Sequence, residues 1–177
     1  MKKIAKPTDN EYALYYQSFI KLVNDDVALL KQLKDNCKMI EHFILSLSEA
    51  ELLFSYEIGK WTVKDILQHL IDVERIFVHR ALRFVRADKG TQTFFDENKF
   101  AEEANAPKIT IKKLLKDYKA NRNATLAFFE NINVKDLKRT GYASNTPTSV
   151  RACAWIICGH ELHHFNVIKQ KYFPGKF

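Results

Sequence analysis

The sequence predicts an all-α protein, a single bundle of four long helices. In four segments the apolar residues recur every three or four positions, which is the period of one helix face. The 177 residues include only 5 Gly and 4 Pro, so few positions interrupt long helices. We find no convincing strand and no internal repeat. The length is that of one domain, so we expect one domain over residues 1–177.

The first long helix is expected from Asp25 to about residues 46–48. Its apolar stripe consists of Leu30, Leu33, Cys37, Ile40, Ile44 and Leu47. The preceding residues 9–24 have helical composition but are rich in tyrosine. We therefore expect residues 1–25 to form a lead-in arm or a short helix over the bundle.

The second helix is expected after Thr62, which resembles a capping box with Asp65 three residues later. It should end near Gly90, since glycine is a common stop signal. The connection over residues 89–109 is long, and residues 95–104 within it are expected to form a short helix. Long connections in bundles often change the helix order or cover a site.

The third helix is expected from Thr110 to Ile132, followed by a polar loop over residues 133–148. Ser149 is a good N-cap for the fourth helix. That helix should run to about Tyr172, shortly before Pro174.

The fourth helix carries His160 and His164, which lie one turn apart and ~40° apart on one face. Imidazole is the commonest protein ligand for transition metals at neutral pH. The alternative is that both rings are hydrogen-bonded core groups, since a buried imidazole needs polar partners. Apolar residues such as Ile156 precede the pair, which indicates that this face is buried.

A catalytic site of the zinc type uses three protein ligands and keeps one position open. His163 shares the helix of the pair but points ~60–100° away from it. Two other histidines neighbour charged residues and are expected to be exposed, namely His42 and His79. His69 lies on the apolar second helix. The spacing therefore predicts a metal site of His69, His160 and His164, if the second and fourth helices are neighbours.

The same segment fits the zinc-protease pattern H-E-x-x-H, with Glu161 as general base. The extended form of that motif needs Gly and His where this chain has Val167 and Gln170. No glutamate follows Glu161 to supply a downstream ligand. A protease is therefore disfavoured, and Glu161 remains a candidate base for another reaction.

Composition also bears on the partners. The net charge is +7, but the lysines are scattered and no nucleic-acid-binding motif is present, so we expect no nucleic acid partner. A basic surface mildly favours an anionic small-molecule substrate. We see no apolar run of membrane-spanning length and no signal peptide. The three cysteines lie in apolar contexts that suit reduced thiols, and we expect a cytoplasmic protein.

Several motifs together resemble the DinB-like superfamily over nearly the whole chain from about residue 26. They are Gly59-Lys-Trp-Thr, His69-Leu-Ile-Asp-Val-Glu-Arg, Arg80-Ala-Leu, Phe95-Asp-Glu-Asn and Gly159-His-Glu-Leu-His-His. The resemblance implies a four-helix bundle with a long crossover connection, commonly a homodimer. It also implies a divalent metal (zinc, nickel or iron) on three histidines, which correspond to His69, His160 and His164.

Members of this family with known activity are similar to transferases or isomerases that use low-molecular-weight thiols such as bacillithiol or mycothiol. A metal with an open position is where a thiol can bind and lose its proton. Arg80, as a candidate catalytic residue, and Arg83, as a candidate cofactor-binding residue, lie on the His69 side of their helix and could hold a carboxylate. Asp72 could orient His69 or a water at the metal.

Three classes of function stay open at this point. The first is a metal-dependent enzyme, above all a thiol S-transferase or a related hydrolase or isomerase acting on a small electrophile. The second is a non-catalytic metal- or ligand-binding bundle involved in stress response, and the third is a nucleic-acid-associated protein that uses its positive charge. An open coordination site beside a pocket distinguishes the first class from the second.

Overall fold

The computed structural model describes residues 2–176 and confirms the prediction of a mostly helical bundle. Met1 and Phe177, the ends of the predicted domain, lie outside the described residues. In chain order the helices are α1 (Gln17–Ile20), α2 (Leu29–Leu45), α3 (Glu49–Leu52), α4 (Val63–Val85), α5 (Glu97–Ala104), α6 (Ile111–Asn131) and α7 (Val150–Val167). Short 3-10 turns stand at Asp9–Glu11, Leu14–Tyr16, Ala106–Lys108 and Val134–Lys138, and a π-helical turn, Ile168–Tyr172, extends α7.

The four long helices α2, α4, α6 and α7 form the bundle. Helix α4 packs against α6 and α7, and α2 packs against the same two helices from the other side. Helices α2 and α4, although consecutive among the long helices, therefore lie diagonally, unlike neighbours in a simple up-and-down bundle. This arrangement makes α4 and α7 direct neighbours, which is the condition that the predicted histidine site required. None of the helices formed by residues 2–176 is long and apolar enough to cross a membrane.

Helix α7 is the central element of the core, and every residue from Val150 to Glu161 is buried. The N-terminal arm, residues 2–28, covers one side of it. Gly159 permits this approach, because a Cβ atom there would lie 2.1 Å from the backbone oxygen of Phe19. Further along the arm, the Ile4 carbonyl accepts a hydrogen bond from the Trp155 indole at 3.2 Å.

The interpretation of residues 133–148 as a polar loop is wrong for its second half. Strands β1 (Thr140–Ala143) and β2 (Thr146–Ser149) form an antiparallel hairpin. Its two turn residues, Ser144 and Asn145, have φ values of 49° and 61°, as a type I′ turn requires. The sequence feature that indicated this turn was Asn145, because asparagine adopts the left-handed conformation more readily than most residues.

The hairpin holds the long connection against the bundle. A Cβ atom on Gly141 would lie 2.0 Å from the Phe84 ring, so the hairpin backbone rests directly on α4. The backbone of Gln92 donates to the Tyr142 carbonyl at 2.9 Å and accepts from the Ser144 amide at 2.8 Å. The connection also contains the predicted short helix, α5. The long connection therefore has a defined structure and packs against the bundle.

A partly buried ion pair attaches the arm to the start of α7. Arg151 Nε donates to Glu11 Oε2 at 2.7 Å. Burial alone would raise the pKa of the Glu11 carboxyl, but hydrogen bonds from Arg151, Ser149 and Thr8 lower this pKa to about 2. The unfolded chain has the ordinary pKa of 4.5. Docking of the arm is therefore fully stabilised above that value and is weakened as the pH falls towards 2.

We expect Glu11→Gln to destabilise the protein at pH 7 and to remove this part of the acid dependence. Urea unfolding of wild type and variant at pH 7, 4.5 and 3 measures both effects. Glu102→Gln, in exposed α5, is the control and should follow the wild type. A Glu11→Gln curve that runs parallel to the wild type over this pH range would contradict the prediction.

Candidate metal centre

The structure brings the three predicted histidines together between α4 and α7. The Nε2 atoms of His69 and His164 each lie 3.0 Å from Nε2 of His160. All three nitrogen atoms fall within 4.8 Å of one another. His69 and His160 are buried and His164 is half-buried. The helical spacing of the pair and the packing of α4 on α7 together produce this cluster.

The geometry of the cluster fits a cation better than it fits hydrogen bonding. An imidazole Nε2 carries either one proton or one lone pair. Nε2 of His160 therefore cannot form good hydrogen bonds with both neighbours. Three converging lone pairs instead suit one metal ion, whose imidazole ligands at ~2.0–2.1 Å must lie within about 4.2 Å of one another. Such a donor set accepts zinc, nickel or iron.

Burial keeps all three imidazoles in the neutral form that binds metals. It lowers the pKa of His69 to about 4. Burial, with His69 and His163 as further causes, lowers the pKa of His164 to about 3. The pKa of His160 is held well below its usual value by burial and by the other rings. At neutral pH protons therefore compete little for these nitrogen atoms.

Two aromatic side chains that sequence analysis did not assign to the site flank the cluster. The Trp61 ring lies 4.7 Å from the ring of His69 and 6.4 Å from that of His164. On the arm, the Phe19 ring lies 5.4 Å from the ring of His160. Neither residue lies in an apolar pattern that indicated contact with the histidines.

Glu161, the candidate base, is part of a buried network of hydrogen bonds and ion pairs. Its Oε1 accepts hydrogen bonds from the Tyr118 hydroxyl and from Arg122 Nη2, both at 2.5 Å. Arg122 also binds both oxygens of Glu74 at 2.9 Å and the Leu33 carbonyl at 2.7 Å. Arg122 of α6 thus contacts α2, α4 and α7 at once.

Sequence reasoning missed Arg122, although a signal was present. The residue occupies the apolar stripe of α6 between Tyr118 and Phe129, where a charge needs partners. Burial opposes its charge, but the carboxylates of Glu161 and Glu74 hold the pKa of Arg122 well above the usual value. The cation therefore stays charged in the core.

Two further candidates lie on α4 but do not contact the histidine cluster. Asp72 accepts a hydrogen bond from Gln68 Nε2 at 2.9 Å, and no hydrogen bond joins it to His69 within residues 2–176. Arg83 donates from Nε to Asp88 at 2.5 Å and lines a second cavity, on the other side of Arg80, whose lining does not include the three histidines. The structure therefore does not bring Arg83 to the histidines.

Arg80, by contrast, shares a cavity with the cluster. This cavity has a volume of about 280 Å³, and its lining includes both Arg80 and His160. Aromatic residues of the arm, of α4 and of the long connection form half of its wall, among them Tyr16, Phe77 and Phe95. A small molecule in this cavity would reach the histidine cluster from one side.

The fold and the site define a helical-bundle protein with a buried three-histidine centre. The DinB superfamily profile matches residues 32–168, and the chain belongs to that family. Among solved structures, the chain is similar to YfiT from Bacillus subtilis with a TM-score of 0.70 at 16% identity, covering 93% of this chain and 90% of that one. YfiT is described as a probable metal-dependent hydrolase with an unusual four-helix bundle topology. No curated protein matches this sequence.

Proposed function

We propose that this protein is a divalent-metal-dependent enzyme that transfers a low-molecular-weight thiol to a small electrophile. The observation that carries the proposal is the convergence of three neutral imidazoles, one of which, His160, lines a cavity. His69, His160 and His164 would hold the ion. When bound, it would act as a Lewis acid that lowers the pKa of a thiol and so supplies a thiolate nucleophile.

The surrounding residues would position ligands and limit water. Trp61 and Phe19 cover the rings of the cluster on two sides, which restricts access to the cavity side. Arg80 supplies positive charge in that cavity and Asp72 supplies an acceptor one turn from His69. Glu161 would act as a positioning residue, because its ion pair with Arg122 fixes α7 next to His160. We assign no role to Arg83, whose side chain binds Asp88.

The lack of a carboxylate hydrogen-bonded to the cluster within residues 2–176 favours a thiol over water as nucleophile. Within residues 2–176 no carboxylate is hydrogen-bonded to the three imidazoles, and Oε1 of Glu161, which accepts from both Tyr118 and Arg122, is fully engaged. Water needs more help to ionise than a thiol, whose pKa is ~8.5. Hydrolysis is the second candidate, because the similar YfiT is described as a probable hydrolase.

A conjugation assay distinguishes the two reactions. The protein, loaded in turn with zinc, nickel or ferrous iron, is incubated with bacillithiol or mycothiol and an activated aryl halide. We expect metal-dependent formation of the thioether, loss of this activity in His160→Ala and retention in His42→Ala. Metal-dependent cleavage of an activated ester without thiol would instead support the hydrolase. Metal binding without either reaction would support a non-catalytic bundle.

The homodimer implied by the family resemblance stays a prediction. Light scattering of the purified protein measures the mass in solution. A mass near twice 20.7 kDa would support the dimer, and a mass near 20.7 kDa would exclude it.

A further inference from the structure

The guanidinium of Arg80 is a buried cation without a carboxylate partner. The residue is 3% exposed, and no ion pair within residues 2–176 includes it. Nη2 donates to the Thr93 carbonyl at 3.1 Å. A guanidinium offers five donors, and a buried charge without a counter-charge is costly. This site therefore retains capacity for an anion.

The other two buried arginines show the usual arrangement. Arg122 binds the carboxylates of Glu74 and Glu161, and Arg151 binds that of Glu11. Each has its counter-charge inside the protein. Of these three arginines, only Arg80 faces a cavity and has no carboxylate partner.

The cavity around Arg80 has apolar walls suited to an organic anion. The guanidinium lies over the Phe77 ring at 5.1 Å and over the Phe95 ring at 5.9 Å. Tyr16 packs edge-on against Phe77, with ring centroids 5.6 Å apart. The one carboxylate among the lining residues belongs to Glu97, which is exposed and forms no ion pair with Arg80.

The distance from Arg80 to the histidine cluster limits the size of the ligand. Arg80 and His69 are eleven positions apart on α4, which is ~16.5 Å along the axis. The arginine side chain leans back toward the N-terminal end of its helix and shortens this gap. A ligand that touches both Arg80 and the cluster must therefore be longer than a simple acid such as acetate.

We propose that Arg80 is the anion-binding subsite for a carboxylate substrate with an aromatic or similarly apolar body. The carboxylate binds the guanidinium, and the body lies against Phe77, Phe95 and Tyr16 with its far end toward His160. The reaction at that far end rests on the proposed function, but the binding itself does not require the metal. Charge-assisted hydrogen bonds give the affinity, and the aromatic wall gives the preference for apolar acids.

Calorimetry with 3-phenylpropionate, its amide and acetate tests the subsite, using metal-free and metal-loaded protein. We expect the acid to bind about tenfold or more tightly than the amide, because hydrogen bonds to a charged group are lost with the amide. Acetate should bind more weakly than 3-phenylpropionate. Arg80→Met should reduce binding of the acid to the level of the amide.

Arg83→Met is the matched control, since Arg83 lies on the same helix but is paired with Asp88. It should bind the acid as the wild type does. Arg80→Met should also be no less stable than the wild type, since it removes a buried charge that has no carboxylate partner. Arg80→Lys keeps the charge but not the forked set of donors, so it should retain part of the binding. This variant replaces Arg80→Met in the test if Arg80→Met does not fold.

The outcomes separate this inference from the proposed function. Equal affinity for acid and amide, or unchanged affinity in Arg80→Met, would overturn the subsite even if thiol conjugation is observed. Binding of the acid that depends on Arg80, in a protein that shows no conjugation and no metal, would support the subsite and defeat the proposed enzyme.

Discussion

Arg122→Met is expected to lower the free energy of unfolding by about 3–5 kcal/mol, because it leaves buried charges without their partner. Arg122 is 1% exposed and binds Glu74 and Glu161. Removing it strands two carboxylates in the core and also frees the Leu33 carbonyl. Urea unfolding at pH 7 measures the change.

A surface ion pair on the same helix is the control. Lys119 of α6 binds Glu41 of α2 at 2.7 Å, and both side chains are partly exposed. Lys119→Met should cost only about 0–1 kcal/mol, since water screens the pair. A similar small cost for Arg122→Met would contradict the buried network.

A triple variant tests whether the stranded charge is the cause. Arg122→Met combined with Glu74→Gln and Glu161→Gln removes the two carboxylates as well. We expect it to recover part of the stability lost in Arg122→Met, because no uncompensated charge remains. A triple variant less stable than Arg122→Met would show that the loss of hydrogen bonds, and not the uncompensated charge, causes most of the destabilisation.

The histidine cluster could be predicted because helix geometry alone relates its residues. An i, i+4 pair shares a face in any helix, so His160 and His164 needed no tertiary information. His69 needed one further condition, that α4 and α7 are neighbours. The apolar pattern around His69 favoured burial but could not by itself specify the neighbour.

The environment of Glu161 could not be predicted in the same way. Its partners Arg122 and Tyr118 come from α6, and their contact depends on how that helix is rotated and shifted in the bundle. The hairpin was missed for a local reason. Its turn, Ser144 and Asn145, lacks the glycine that usually marks a type I′ turn. No periodic pattern in the sequence indicated that Phe19 packs against the histidine cluster.

His160→Ala is expected to abolish binding of the metal, which we expect at about one ion per chain. His160 is the central residue of the cluster, since its Nε2 lies 3.0 Å from Nε2 of both other histidines. Elemental analysis after incubation with zinc, nickel, iron or manganese measures the metal content. His163→Ala is the matched control, because His163 is a neighbour on α7 but lies outside the cluster.

Metal binding should also raise the free energy of unfolding. This measurement distinguishes a variant that has lost a metal ligand from one that is misfolded. At a free metal concentration 100-fold above Kd, the wild type and His163→Ala should each gain about 2.7 kcal/mol over the chelated protein. His160→Ala should gain nothing while still unfolding cooperatively. Trp61, 4.7 Å from the His69 ring, provides a second readout, since a paramagnetic ion such as nickel would quench its fluorescence. If the wild type neither binds metal nor is stabilised by it, the three imidazoles serve as packing groups, and the proposed enzyme fails with the site.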